Sequence, residues 1–172
     1  MKKLLNLSII LLYLVSYNAL AQLPGKINIG LGAGLDYGGF GGHLSFFPAD
    51  KIDLFGGLGY NLNALGYNVG AQLNFPNEKR VTLHISGMYG YNAVLIVKGN
   101  VTSKTTYYGP SVGAGLILKS KNSEKSFWRF EIIVPFRPDV YHDAIDDIKL
   151  IGYDVREPWP VALSFGYHIK LT

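Results

Sequence analysis

The stretch YNVGAQLNF, residues 67–75, alternates between apolar or aromatic residues and small or polar residues that carry no charge. Successive side chains of a β-strand point to opposite faces, so this period of two predicts a strand with one apolar face and one polar face. Tyr67 and Leu73 share the apolar face, whereas Asn68 and Gln72 share the polar face. The polar face carries amides and glycine in place of the Lys and Glu expected on a face turned to water.

The same alternation recurs along the rest of the chain. The other predicted strands lie in residues 27–37, 40–46, 52–62, 81–92, 111–118, 128–136 and 161–171. A tilted membrane strand needs roughly 9–11 residues, and most of these runs approach that length. An even number of strands returns the end of the chain to the side on which it began, as in exported barrels.

The predicted strands are nearly free of charge. Residues 54–77, 81–97, 105–118 and 158–169 contain no Asp, Glu, Lys or Arg. Small polar residues suit the narrow interior of an eight-stranded barrel, and an uncharged apolar face suits lipid. An open sheet would leave backbone groups unpaired in a bilayer, so a membrane-spanning sheet must close. The predicted fold is therefore all-β, an eight-stranded antiparallel up-and-down transmembrane β-barrel, with a soluble β-fold around an aromatic core as the alternative.

The N-terminus predicts export. Lys2 and Lys3 precede a mostly apolar segment, residues 4–15, and small residues follow at Ala19 and Ala21. This order is typical of a cleaved secretory signal, and the apolar segment is shorter than the ~20 residues of a membrane helix. We expect residues 1–21 to be a signal peptide.

Composition limits the chemistry of residues 22–172, which form one predicted barrel domain. The chain contains no cysteine, which excludes disulfides, thiolate zinc sites and a lipid-modified N-terminal cysteine. The net charge of +4 falls to about +2 without Lys2 and Lys3, since 14 basic and 12 acidic residues remain. So balanced a charge argues against nucleic-acid binding.

The connections differ between the two ends of the predicted barrel. At one end, here called the turn end, residues 48–51, 76–80 and 119–125 form short charged turns. The other end, the loop end, carries the tip at residues 99–100 and the longest connection, 137–160. Short periplasmic turns opposite longer extracellular loops are typical of outer-membrane barrels. Aromatic rings are expected at both lipid boundaries: Tyr37, Phe40, Tyr60, Tyr67, Tyr89, Tyr91, Phe136 and Trp159 toward the loop end, and Phe46, Phe75, Trp128 and Tyr167 toward the turn end.

These features together resemble a known family. The signal peptide, the eight alternating strands, the Pro-containing turns and the Gly/Tyr-rich stretch LFGGLGY, residues 54–60, look like small OmpA/OmpX-type outer-membrane barrels and their Bacteroidota relatives. The resemblance covers residues 22–172. It implies the outer membrane of a Gram-negative bacterium, contact with its lipid and lipopolysaccharide, and insertion by the barrel-assembly machinery. The chain departs from the pattern at Thr172, where such barrels often end in an aromatic residue.

A polar network is predicted in the lumen. Its members are Asp36, His43, Asp53, His84, Arg129, Glu131, His168 and Lys170. Buried charges are rarely left unpaired, so an ion-pair network that fills the lumen is the favoured interpretation. A proton or ion path is the alternative, although an eight-stranded barrel usually has no continuous water channel.

Two His-x-Ser pairs raise the question of catalysis. His43 with Ser45, and His84 with Ser86, each lie two residues apart on one face. Lipid A 3-O-deacylases are small outer-membrane barrels with a His-x-Ser arrangement, and a histidine can activate a serine nucleophile. A lipid esterase needs that serine toward lipid, whereas both pairs here are predicted to face the lumen. Polar filling of the lumen is the favoured interpretation, with no cofactor.

The fifth and sixth strands are predicted to extend beyond the membrane as a hairpin. Residues 93–97 are apolar on both faces, and Val94, Leu95, Ile96 and Val97 could pair at their edge with an extracellular protein. The favoured alternative is that the hairpin packs under the long loop, whose apolar side chains also need burial. Exposure of 93–97 would support the adhesive edge, whereas burial by 140–151 would count against it.

The long loop carries Asp139, Asp143, Asp146, Asp147 and Asp154 without the spacing of a known calcium loop. A solvated acidic loop is favoured, with a helical turn within residues 143–150. The predicted function is a non-catalytic structural or surface-interaction protein with a packed polar lumen. The alternatives are a lipid-modifying hydrolase and a soluble periplasmic ligand-binding barrel.

Overall fold

The computed structural model describes residues 26–76, 80–97, 103–150 and 159–171. They form one closed antiparallel barrel in which each strand pairs with the next and β8 pairs with β1. The strands are β1 (Lys26–Gly34), β2 (Gly39–Ala49), β3 (Ile52–Tyr60), β4 (Leu65–Phe75), β5 (Val81–Val97), β6 (Ser103–Lys119), β7 (Ser126–Pro135) and β8 (Ala162–Lys170). The predicted eight-stranded up-and-down barrel is confirmed. The predicted signal peptide, residues 1–21, lies outside the described residues.

Closure of the barrel depends on the pairing of the first and last strands. Their register runs from Asn28 opposite Lys170 to Ala33 opposite Phe165. Each of the eight strands therefore has a hydrogen-bonded neighbour on both sides, and the sheet presents no free edge along these residues. The register is interrupted by bulges in β2 near Phe46 and in β5 near Tyr91.

The two faces of the strands differ as the alternation predicted. Large apolar side chains point outward and stay exposed, for example Leu31 at 73% and Val69 at 55%. The residues between them point into the barrel, where Asn68 and Gln72 are almost completely buried. The interior is therefore polar and the outer wall apolar, the reverse of a water-soluble domain.

The predicted first strand ends early, and this corrects the placement of Tyr37. After β1 the chain turns inward as a short 3₁₀ turn, Leu35–Tyr37, and both end residues are buried. Gly34 and Gly38 flank the turn with φ of 148° and 68°, values that side chains strongly disfavour. Tyr37 therefore fills the lumen and does not join the outer aromatic belt.

Glycines on the surrounding strands make room for this turn. A Cβ atom at Gly57 would collide with the main-chain carbonyl of Asp36, and one at Gly166 would collide with the Tyr37 ring. Interiors pack without spare space, so the missing side chains are what allow a backbone segment inside so narrow a barrel. We call residues 35–37 the plug.

The β5–β6 hairpin extends beyond the other strands. A helix, α1 (Asp139–Leu150), connects β7 to β8 and packs against this hairpin. Ala93 and Leu95 form a buried cluster with Tyr141 and Ile145 of α1. The helix is longer than the single turn predicted within 143–150. Within the described ranges, no helix combines the length and the apolar character that crossing a bilayer would take.

Tyr91 is expected in the outer aromatic belt. It lies in β5, two residues before Ala93, the first β5 residue that packs against α1. It is half-buried and packs partly against the lumen cluster that includes Leu35. The bulge that follows it changes which side chains face inward, so that Asn92 and Ala93 are both buried. A strict period of two could not anticipate this shift.

Candidate functional site

The predicted lumen residues converge inside the barrel, with one exception. Asp36, His43, Asp53, His84, Arg129, Glu131 and His168 are each at most 3% exposed. Lys170 is only partly buried and lies at the turn end. Inward positions of five strands and the plug therefore supply one polar cluster.

Arg129 is the centre of this cluster. Its guanidinium donates from Nη2 to Glu131 Oε2 at 2.9 Å and from Nη1 to His43 Nε2 at 3.0 Å. Asp36 Oδ2 lies 3.8 Å from Nη2, which links the charge on β7 to the plug. The guanidinium also lies 5.2 Å from the centroid of the Phe55 ring, within the range of a cation–π contact. Arg129 therefore contacts strands β2, β3 and β7 and the plug at once.

Glu131 receives its remaining contacts from β5. Ser86 donates a hydrogen bond to Oε1, and His84 Nε2 lies 3.5 Å from Oε2. A carboxylate that accepts hydrogen bonds from an arginine and a serine is held in one position. The Ser86–Glu131 hydrogen bond therefore links β5 and β7, which are not adjacent in the sheet.

Hydrogen bonds from β4 and β8 hold the plug. The Tyr37 hydroxyl lies 2.5 Å from His168 Nε2, and Ser164 donates to Asp36. The Asn68 amide donates to the carbonyl oxygens of Leu35 at 2.6 Å and of Tyr91 at 2.9 Å. Buried backbone groups normally need such partners, because none comes from water. The plug is thus an integral part of the lumen.

Aromatic stacking completes the packing toward the turn end. His43 stacks on Phe55 with ring centroids 5.0 Å apart, and His168 stacks on Phe127 at 4.9 Å. The side chains fill the cross-section at this level, as expected for eight strands.

Sequence reasoning missed the roles of Tyr37, Asn68 and Ser164. Tyr37 is expected among the aromatic rings at the lipid boundary, and the alternation assigns Asn68 and Ser164 to the polar face without any specific contact. The sequence Gly34-Leu35-Asp36-Tyr37-Gly38 did carry a signal, because glycines four residues apart favour a tight turn over a continuous strand.

Neither His-x-Ser pair has the arrangement of an activated nucleophile. Ser86 donates a hydrogen bond to Glu131, and the Glu131 carboxylate lies between Ser86 and His84. His43 instead accepts a hydrogen bond from Arg129. Both pairs point into the lumen, where His43, Ser45, His84 and Ser86 are all buried. An acyl chain in surrounding lipid would not reach either serine through the wall.

Within the described ranges, no group of three or more His, Asp or Glu side chains is placed to hold a metal ion. The acidic residues of α1 form no such group, and Asp146 lies 4.0 Å from Lys149 in an exposed pair. Asp154 lies outside the described residues.

The predicted interaction hairpin is covered in part. Leu95 is buried against α1, and Val94 is partly buried. The side chains of Ile96 and Val97 lie outside the described residues. For Leu95, burial by α1 is what the packing alternative predicted.

The fold is similar to a solved structure, the N-terminal β-barrel domain of Pseudomonas aeruginosa OprF. The match has a TM-score of 0.50 and 14% sequence identity, and covers 84% of this chain and 99% of that domain. At this identity the likeness concerns the fold. No family model matches the sequence, and no curated protein matches it.

Proposed function

We propose that this chain is an outer-membrane β-barrel protein of a Gram-negative bacterium, exported through a cleaved signal peptide. Its role is structural or in surface interaction, with a packed lumen and no catalysis. Its expected partners are outer-membrane lipid, lipopolysaccharide and the barrel-assembly machinery. The barrel fold that it shares with the OprF domain supports this proposal.

The observation that carries the proposal is the apolar outer wall. Outward side chains on every strand are exposed and aliphatic or aromatic, among them Leu44, Leu58, Ile85 and Leu163. Soluble monomers rarely expose contiguous apolar patches beyond a few hundred Å². Lipid hydrocarbon could cover this surface without desolvating polar side chains, because the polar residues that alternate with these apolar ones point into the barrel.

Aromatic pairs at the two ends of the wall fit lipid boundaries. Trp128 and Tyr167 lie 5.1 Å apart, centroid to centroid, near the turn end. Tyr67 and Tyr108 lie 5.2 Å apart toward the loop end. Amphipathic rings prefer the interface between hydrocarbon and water, so these pairs suit its two levels.

The interior supports a non-catalytic role. The charged groups Arg129 and Glu131 are paired with each other inside the barrel, and the plug lies between them and the loop end. A soluble ligand-binding barrel would instead need an apolar interior, and a lipid hydrolase would need a His–Ser pair on the outer wall. A lumen that is polar at the level of Arg129 favours neither.

Fractionation tests the proposal. The full precursor, expressed in a Gram-negative host, should appear in the outer-membrane fraction, and its unheated form should migrate differently on a denaturing gel from the heated form. Mass spectrometry should show an N-terminus at Gln22. Recovery as a detergent-free periplasmic protein would refute the membrane assignment. Retention of residues 1–21 on a membrane-embedded barrel would refute only the cleavage.

A further inference from the structure

A cavity opens at the turn end of the lumen, on the far side of the polar cluster from the plug. Its volume is about 490 Å³, within the range of small-molecule sites. Its lining comes from seven of the eight strands and from the β2–β3 turn. Phe127 lies between this cavity and the Arg129 cluster, because its ring also stacks on His168. We call this cavity the vestibule.

Two buried amides in the vestibule wall each have one atom without a hydrogen-bond partner among the described residues. Asn28 and Asn74 are each only 4% exposed. Gln72 donates to Asn74 Oδ1 at 2.6 Å, whereas Asn74 Nδ2 makes no hydrogen bond within the described residues. Asn28 Oδ1 also has none there. Asn74 Nδ2 is therefore a buried donor open to an acceptor in the vestibule, whereas Asn28 Oδ1 can accept only from a donor such as a hydroxyl group.

Lysines surround the same space. Lys26, Lys119 and Lys170 line the vestibule, and Lys26 makes only a loose ion pair, 3.9 Å, with exposed Asp50. The described turn-end residues carry a surplus of positive charge: Lys26, Lys51, Arg80, Lys119, Lys121, Lys125 and Lys170 against Asp50 and Glu124. Asp50 also lines the vestibule, so three lysines outnumber one carboxylate there, and such a concave positive site concentrates anions.

We infer that the vestibule binds a phosphate-bearing ligand, either a soluble phosphate ester or a phospholipid headgroup. A phosphate carries up to two charges and three acceptor oxygens, which suits three lysines, the Asn74 amide and the Thr82 hydroxyl better than a carboxylate does. Phe47, Ile117 and Phe127 provide apolar contact for the organic part. The inference goes beyond the proposed function, because the vestibule opens along the barrel axis whatever medium surrounds the wall.

Side-chain amide NMR of the folded barrel in a phosphate-free maltoside detergent tests this. One titration uses glycerol 1-phosphate and a second uses short-chain phosphatidylglycerol, with glycerol as the uncharged control. A saturable shift of the Asn74 amide is expected with at least one phosphate probe. A shift with only the first probe identifies a soluble ester, and with only the second a lipid headgroup. If the barrel proves soluble, the first titration is run in buffer.

Two triple variants separate a built site from a general positive field. Replacing Lys26, Lys119 and Lys170 by Gln should weaken binding at least tenfold. Replacing Lys51, Lys121 and Lys125 by Gln removes the same charge from the same end outside the vestibule, and should weaken binding less than twofold. Equal weakening of binding by both triple variants would overturn the inference. A response to glycerol equal to the response to the phosphate probes would also overturn it, and so would the absence of a shift with either phosphate probe.

A single variant inside the vestibule gives an independent measurement. Asn74→Asp keeps the acceptor for Gln72 and replaces the unpartnered donor by a negative oxygen. It should abolish the phosphate-induced shifts of the side-chain amides of Gln72 and Asn28, which remain as probes, with folding checked by heat-modifiable gel mobility. Unchanged affinity in a folded N74D barrel would refute the participation of this amide.

Discussion

The inner and outer faces of the same strands obey different rules. On the outer wall, Leu58 and its neighbours have no specific partners, and nearly any apolar side chain would serve. In the lumen, Arg129, Glu131 and the plug are held by directional contacts within 2.5–3.8 Å. The outer face therefore determines where the barrel resides, whereas the inner face determines which single arrangement it adopts. Substitutions made on one face and then on the other can separate the two contributions.

The largest effect is expected from Arg129→Met. It would leave Glu131 and Asp36 buried without their cation, and breaking a buried pair in this way costs about 3–5 kcal/mol. The neighbouring outward change Ile132→Met should cost less than about 1.5 kcal/mol, because it conserves volume and apolarity. Urea unfolding in detergent, followed by tryptophan fluorescence, would measure both. Adding Glu131→Gln to R129M should recover part of the loss, and failure to do so would argue against coupling.

The next effect distinguishes lipid from water around the wall. Ile132→Arg places a charge on the outer face, midway along the chain between the belt residues Trp128 and Phe136, where Ile132 is 55% exposed in the isolated barrel. In a bilayer the cost should be about 2–4 kcal/mol near the midplane. In water, an exposed change of this kind usually stays within about 0.5 kcal/mol. Unfolding of I132R in lipid vesicles would decide, and a neutral result would contradict the membrane assignment.

Two adjacent glycines provide the sharpest matched pair. Gly57 faces the plug and Gly56 faces outward, where the nearest atoms to an added Cβ lie 3.9 Å away. Gly57→Ala should destabilise the barrel by about 1–3 kcal/mol through overpacking. Gly56→Ala should be neutral or slightly stabilising, because it lowers the entropy of the unfolded chain. Similar unfolding midpoints for the two variants would show that the plug is not held against β3.

The smallest effect concerns one hydrogen bond. Tyr37→Phe removes the hydroxyl that pairs with His168, a change worth about 0.5–1.5 kcal/mol. Tyr89→Phe on the outer wall, 55% exposed, should change the free energy of unfolding by less than about 0.5 kcal/mol. An equal response of both tyrosines in urea titrations would mean that the buried hydroxyl contributes nothing specific.

The lumen cluster was predictable in membership and unpredictable in connectivity. Alternation places Arg129 and Glu131 on the inner face, since they lie two residues apart in one strand. It cannot reveal that His43 meets Arg129, or that Ser164 meets Asp36, because these contacts cross the barrel. The hairpin shows the same limit. An apolar Leu95 suits an exposed interaction edge as well as a buried contact, and only the position of α1 shows that it is buried.

The amino-acid sequence by itself determined the strand number, the pairing order and the face to which most side chains point. These follow from a period of two, from turn residues at regular intervals and from the absence of charge in the strands, all of which are local properties. Only the tertiary structure decided that residues 35–37 leave the wall and enter the lumen, and that the turn end keeps an open vestibule. Both depend on the space left when eight strands close, and the diameter of a closed barrel is a property of no single segment.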